Sequence, residues 1–320
     1  MNILSLFDGI SCGRVALERG GHRVHKYFAS EIDKYAISIS QKNYPDIIQL
    51  GNIEKWREWD IDWATINLLI AGSPCQGFSF AGKGLNFEDQ RSKLFFVFVD
   101  ILRHIKKLNS EVKFLLENVR MKGEYELAIT RTLDTLPVYI NSALVSAQNR
   151  QRVYWTNIPG DDMFAAISQP EDKHIFLKNI LENGLPARAV KYGKIITEHN
   201  AMKGCCCCAT DYKGLENRQE SSISIVGFAD IKGQDIIRRV YGINGKYPTL
   251  TAVCGGQQQP KISNDGCYYR RLTPTEYERL QTLPDGYTQG ISNSRRYHAL
   301  GNGWTIDVIV HILKGLKGAK

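Results

Sequence analysis

Nothing in this sequence equips it for a membrane or for export. Its 320 residues contain no run of about 18 apolar residues, so a helical membrane span is not expected. The start, MNILSLFDGI, has no basic stretch leading into an apolar one and a small-residue cleavage site. Secretion is therefore not expected, and the cytoplasm is. The 8 cysteines offer no disulfide framework, since half of them form one block, Cys205–Cys208. Four adjacent side chains cannot all turn toward one ion, so reduced thiols in a turn are expected and a metal site is not. Internal repeats and low-complexity linkers are absent as well. What is present is ordinary for a globular chain: 43% apolar residues, which excludes wholesale disorder. The 41 Lys and Arg against 33 Asp and Glu leave a net charge of +8, which points toward an acidic partner such as nucleic acid.

Residues 1–160 alternate strand and helix signals. Asn2–Phe7, Lys26–Glu31, Leu68–Ala71 and Lys113–Leu116 read as strands, and Gly13–Arg19 as a helix. Over Arg91–Lys107 the apolar residues Leu94, Phe95, Phe98, Ile101, Leu102 and Ile105 recur at helical spacing. Strand, crossover helix and strand in repetition predict an α/β fold with a doubly wound, mostly parallel sheet. Functional groups in such sheets gather beyond the carboxyl ends of the strands, where Asp8, Glu31, Cys75 and Glu117 all fall. From about Asp161 to Cys267 the pattern degrades into short β-like pieces, Ser222–Val226 and Tyr247–Val253. This segment reads as a smaller, loop-rich domain. A capping box, Thr273-Pro274-Thr275-Glu276, then opens a helix to Leu283, and a terminal helix over Thr305–Leu316 is expected to pack back on the sheet.

Four segments carry chemistry. Asp8-Gly9-Ile10-Ser11-Cys12-Gly13 follows a strand and opens a helix, where glycine lets backbone approach a ligand and the helix N-terminus favours electronegative groups. Glu31, ending the next strand, is placed to accept hydrogen bonds from ribose hydroxyls. Together they suggest a nucleoside-containing cofactor, although the spacing is not GxGxxG and such a turn also occurs as a purely structural device. Pro74-Cys75-Gln76 lies in a Gly- and Ser-containing loop directly after a buried strand. Its thiol is either a nucleophile, as the thiolate, or an inert buried cysteine. Glu117, ending the next strand, is either a surface acid or a carboxyl lifted from water that stays protonated and donates a hydrogen bond. Gln148, Arg150 and Arg152 alternate in QNRQRVYW, and in an extended strand residues two apart share a face. Two neighbouring guanidiniums suit phosphates or a carbonyl oxygen, or else line an exposed sheet face.

The order of these pieces along the chain resembles the DNA (cytosine-5) methyltransferase family. The matching segments are LSLFDGISCG, ASEID, GNI at 51–53, GSPCQGFS, FLLENV, QNRQR and YHALGNGW, with Tyr247-Pro248-Thr249-Leu250-Thr251 resembling the end of the family's target-recognition region. The first segment is similar to the animal de novo type, and the Gln after the cysteine to the bacterial and phage type. The resemblance implies S-adenosyl-L-methionine as cofactor and duplex DNA as substrate. It divides the chain into a catalytic and cofactor-binding domain (1–160), a target-recognition domain (161–271) and C-terminal helices returning to the catalytic domain (272–320).

Site roles follow from the same resemblance. Cys75 would attack C6 of a flipped-out cytosine, Glu117 would hold N3, and Arg152 would bind the base carbonyl and orient Glu117. Phe7, Asp8, Gly9, Ile10 and Ser11 would line the methionine and adenosine. Glu31 would take the ribose with Ile32 beside it, and Asn52 and Ile53 would flank the adenine. Pro74 would close the pocket, and Asn302, Gly303 and Trp304 would reach back from the far end of the chain. The family often has Asp where this chain has Asn52, and a neutral Asn can still pair with an exocyclic amine through its carbonyl. Gln76, Ser79, Gln148 and Arg150 would meet DNA, the first two from a Gly-rich loop that closes over the flipped base. A monomer in a bacterial or phage-infected cell, with a restriction endonuclease as partner, completes the expectation.

Two other readings stay open. One branch of the family methylates transfer RNA and carries a Cys-Phe-Thr stretch, which does not occur here. The other is a catalytically dead DNA-binding scaffold, although Cys75 and Glu117 are both present. Between Lys173 and Arg271 there are 15 basic and 8 acidic residues, which places most of the excess charge in the segment expected to read DNA. Opened at Gly160, the same window holds only +3.

Overall fold

The computed structural model describes residues 1–73, 90–160, 166–184, 193–196, 223–252 and 258–316. It divides into two compact units, one of Met1–Ile140, Gln151–Pro170 and Ile306–Lys320, the other of Asn141–Arg150 and Glu171–Thr305. The chain opens with β1 (Asn2–Leu6), α1 (Cys12–Arg19), β2 (Lys26–Ser30), α2 (Lys34–Asn43) and β3 (Ile48–Gln49). It continues with β4 (Ile66–Gly72), α3 (Gln90–Leu108), β5 (Lys113–Val119), α4 (Gly123–Leu133) and β6 (Val138–Asn141). The short β7 (Gln148–Asn149) belongs to the second unit, and β8 (Gln151–Thr156) returns to the first.

The first unit is built on a seven-stranded sheet in the order β3-β2-β1-β4-β5-β8-β6. β1 runs parallel to both β2 and β4, and Leu6 stands opposite Ser30 on one side and Ala71 on the other. β4 and β5 are also parallel, with Gly72 opposite Glu117, whereas β8 joins β5 antiparallel. Strand order turns back at β1, so the crevice of this doubly wound sheet lies at the carboxyl ends of β1 and β4. The central strands are apolar on both faces: Ile3, Leu4, Leu6, Leu68–Ala71 and Phe114–Leu116 are all buried. That pattern belongs to a parallel sheet covered on both sides by helices. The helical stripe Phe95, Phe98, Ile101, Leu102 and Ile105 of α3 is buried as its spacing predicts. Among the described residues no helix is long and apolar enough to cross a membrane.

The second unit holds α5 (Leu177–Ile180), β9 (Gly193–Ile196), β10 (Ile225–Ala229), α6 (Asp235–Arg238), β11 (Arg239–Gly242) and β12 (Tyr247–Pro248). It ends with β13 (Lys261–Ser263), β14 (Tyr268–Arg271), α7 (Pro274–Leu280) and α8 (Asn293–Asn302). Where the sequence reads as loop-rich, the strands close into a barrel in the order β10-β11-β13-β14-β9. These strands have only 3–5 residues each, too few to show alternation along the chain. The capping box of α7 forms in full: Thr273 Oγ1 accepts from Glu276 N, and Glu276 Oε2 accepts from Thr273 N. The last helix, α9 (Ile306–Leu313), lies in the first unit against α1, where Arg19 pairs with Asp307 at 2.5 Å.

Candidate active site

Beyond the end of β1 the backbone is left-handed at Phe7 (φ 56°), Gly9 (φ 57°) and Ser11 (φ 61°). Glycine adopts this freely, but each of the other two costs about 1–2 kcal/mol. The Asp8 carboxylate lies inside this turn and is buried. Its Oδ1 accepts from Ser5 Oγ at 2.6 Å and Tyr27 OH at 2.7 Å, and its Oδ2 accepts from Ser11 Oγ at 2.5 Å. Burial raises its pKa from 3.8 to about 6, against the pull of those three hydroxyls. The sequence reading has Asp8 lining the cofactor, but the carboxylate faces the protein interior.

Glu31 follows β2 and closes the same turn. Its Oε2 accepts from Gly9 N at 2.8 Å, and its Oε1 accepts from Ile32 N at 2.7 Å and Asp33 N at 2.9 Å. A carboxylate has about four acceptor positions, so these bonds leave room for a hydroxyl. Beside it Ile32 is 75% exposed, an apolar side chain standing in the open at a strand end. Asn52 Oδ1 accepts from Glu54 N at 3.0 Å and caps the short 3-10 turn that Ile53 begins. One lone pair of the Asn52 carbonyl is therefore already used. The Ile53 side chain is packed into the core, so what it offers a ligand is backbone.

At the end of β5 the buried Glu117 pairs with Arg152 of β8, Nε to Oε1, at 2.9 Å. The antiparallel register that sets Val119 opposite Arg152 brings the two together. The next residue, Asn118, is also buried, and its Nδ2 donates to Ser73 Oγ at 3.0 Å. This bond ties the end of β5 to the residue that precedes Pro74 and Cys75 in the chain. Glu126 holds the chain just beyond, accepting from Met121 N at 3.1 Å and Tyr139 OH at 2.6 Å. Pro74, Cys75, Gln76 and Ser79 lie outside the described residues, as does the Cys205–Cys208 block.

The three alternating side chains of QNRQR do not share one strand face. The strand breaks at Arg150, because Asn141 Oδ1 accepts from Arg150 N at 3.0 Å and Ser142 N donates to Arg150 O at 3.0 Å. Arg152 stays in the first unit, while Gln148 and Arg150 belong to the second. Gln148 is fully buried; it donates to Leu280 O and Gln281 Oε1 and accepts from Leu250 N at 2.8 Å. The Arg150 guanidinium donates to the carbonyls of Leu250, Gly301 and Gly303 at 3.0–3.3 Å. These two side chains brace the second unit's interior rather than facing phosphates. Asn302 ends α8 and is exposed, Gly303 lends its carbonyl to Arg150 and Gln281, and Trp304 is half-buried.

The family model of the C-5 cytosine-specific DNA methylases matches residues 1–318. The chain belongs to that family. The type II methyltransferase M.NgoBV of Neisseria gonorrhoeae is 34% identical over 217 residues, covering 61% of this chain and 49% of that protein. The chain thus spans about half the length of M.NgoBV, and of M.NlaIV of Neisseria lactamica. The type II methyltransferase M.HhaI of Haemophilus parahaemolyticus is 28% identical over 98% of this chain and 93% of its own length. The crystal structure of S. pombe Dnmt2 methyltransferase matches with a TM-score of 0.62 over 99% of both chains, at 17% identity, a likeness of fold alone.

Cytosine-5 methylases use S-adenosylmethionine, and the residues at the ends of β1 and β2 fit such a group. Glu31 keeps an acceptor position for a ribose hydroxyl, Ile32 offers an exposed apolar surface to a flat base, and the Asn52 carbonyl keeps its second lone pair. Sequence reasoning misses Asn118, Ser5, Tyr27 and Ser40, whose Oγ lies 2.6 Å from Ser11 Oγ. Asn118 has a readable signal, a polar amide where an apolar strand reaches its carboxyl end. Tyr27 and Ser40 have none, since each is one polar residue in an element whose partner only the fold reveals.

Proposed function

We propose that this chain transfers a methyl group to C5 of cytosine in double-stranded DNA. The reading is carried by the family match over residues 1–318, within which the Glu117–Arg152 pair stands at a strand end. In this reading the Cys75 thiolate adds to C6 of the base, and negative charge develops across the ring. Glu117 holds N3, and Arg152 meets the base carbonyl while keeping the carboxyl oriented. S-adenosylmethionine, when bound, supplies the methyl group, and Phe7, Gly9, Ile10, Ser11, Glu31, Ile32, Asn52, Ile53 and Pro74 hold it; Asn302, Gly303 and Trp304 are assigned to it on sequence alone. After methylation, loss of the C5 proton expels the Cys75 thiolate and restores the aromatic ring. A stacked base is out of reach of these groups, so the cytosine must leave the helix. Gln76 and Ser79, next to Cys75 in the chain, are assigned to the DNA on sequence alone. Gln148 and Arg150, assigned to DNA on sequence, brace the interior of the second unit instead. In this reading the chain works as a monomer with a restriction endonuclease as its partner; two of its relatives are named type II methyltransferases.

The test is transfer of tritiated methyl to duplex DNA, expected for wild type and lost in Cys75→Ala. A stable adduct on 5-fluorocytosine duplex supports addition by the thiolate, and its absence rules that addition out. Bisulfite sequencing of a plasmid expressed with the protein gives the base and its sequence context.

A further inference from the structure

Three of the five residues from Phe7 to Ser11 hold left-handed backbone, and two of those are not glycine. Strained positions of this kind persist only where their surroundings over-determine them. Here the surroundings are hydroxyls gathered on one carboxyl. Ser5 lies on β1 before the turn, Ser11 lies at its end, and Tyr27 stands on the neighbouring β2; all three donate to Asp8. The network extends further, since Ser40 Oγ of α2 lies 2.6 Å from Ser11 Oγ and accepts from Gln49 Nε2 of β3 at 3.5 Å. Asp8 and Tyr27 are both buried, so neither presents its polar group to an open surface. Glu31 grips the same turn from outside through Gly9 N.

We infer that Asp8 and Tyr27, through Ser11 and Ser40, are positioning residues for S-adenosylmethionine, holding the strained turn against Glu31 without touching the ligand. This rests on the cofactor reading given above. The assignment differs from a lining role, because the carboxylate acts through its neighbours. Ionised, Asp8 receives all three hydroxyls as a charged acceptor with no proton of its own to place. Once protonated it must donate in turn, the Ser11–Ser40 link reverses, and bonds to a charged acceptor become weaker bonds to a neutral one. The titratable groups facing Asp8 are Tyr27 on β2 and Glu31 beyond it, while α2 brings Ser40 to the network.

The test is calorimetric titration of the full chain with S-adenosylmethionine, without DNA, at about pH 7.5 and about pH 5. Wild type is expected to bind several-fold more weakly at the lower pH. Asp8→Asn is expected to bind about tenfold more weakly at neutral pH, with a flat pH response. Titration of the ligand itself is common to both proteins and cancels. Tyr27→Phe and Ser40→Ala keep the side-chain volume nearly intact and carry the test if Asp8→Asn does not fold. In turnover, Tyr27→Phe raises KM for the cofactor and leaves KM for DNA and kcat at saturation unchanged. A variant set that loses thermal stability but binds with wild-type affinity and wild-type pH response overturns the inference. Wild type that binds no S-adenosylmethionine at either pH overturns the cofactor reading itself.

Discussion

Glu117 and Arg152 illustrate how a single ion pair can serve geometry and chemistry together. Each side chain is about nine-tenths buried and they meet at 2.9 Å, so neither can swing away alone. Glu117→Gln keeps the shape and removes the carboxyl chemistry. Its kcat is expected to fall by about 10²–10⁴ with cofactor affinity unchanged, measured as single-turnover methyl transfer. Asp8 makes a separate prediction about stability. Its folded pKa of about 6 lies above the ordinary 3.8, so the folded protein keeps this proton longer than the unfolded chain. Stability must therefore decline as pH rises from about 4 to about 6, by up to about 3 kcal/mol from this group. In urea unfolding, the stability of wild type relative to Asp8→Asn should decline across that range, the other carboxylates being common to both. The direction of the Asp8 carboxylate was not legible in the sequence. A carboxyl after a strand and before a helix points to a ligand by habit, and only Ser5, Ser11 and Tyr27 around it turn the group inward.

At the scale of elements, legibility followed length and locality. α3 announced itself because its apolar stripe repeats over several turns, and α7 because its capping box is contained in four residues. The parallel strands were readable because burial on both faces makes them short apolar runs. β8 was not readable as an antiparallel insertion between β5 and β6, since its partner is set by tertiary packing. The break at Arg150 was hidden for a similar reason: it depends on Asn141 and Ser142 claiming that residue's backbone. This break separates two roles that an unbroken strand would have merged. If Arg150 braces the second unit, Arg150→Ala leaves the carbonyls of Leu250, Gly301 and Gly303 without this donor. The expected cost is about 3 kcal/mol or more, read from denaturant unfolding, with no change in the salt dependence of DNA binding among folded molecules. A side chain on a phosphate would instead reduce the salt slope by about one when removed. Thr273→Ala, by contrast, removes one cap, worth about 1 kcal/mol, together with the hydrogen bond that Thr273 Oγ1 donates to Glu182.

For the molecule as a whole, the excess of positive charge is the property that burial revises most. Counting along Lys173–Arg271 treats every lysine and arginine as available to DNA. Among the described residues three are not: Lys246 and Lys261 are 1% exposed, and Arg270 is paired with the buried Glu276 at 2.6 Å. Lys246 Nζ is bound by the carbonyls of Ala143, Ser146 and Ile175, and Lys261 Nζ by those of Ile237 and Gln259. Burial brings the Lys261 pKa down from 10.5 to about 8, so even its charge is held less firmly than that of a surface lysine. Charges of this kind are satisfied by interior partners and release no counterions when DNA binds. Lys173, Lys178 and Lys232 are exposed and remain candidates for phosphates. Replacing these three together by Gln is expected to lower the magnitude of the log–log salt slope of binding, by about 0.9 for each phosphate no longer neutralised. Lys246→Gln should leave the slope of the folded fraction untouched and destabilise the second unit instead. Binding isotherms at several salt concentrations distinguish the two. An unchanged slope in the triple variant would move the DNA-facing charge to other residues of the chain.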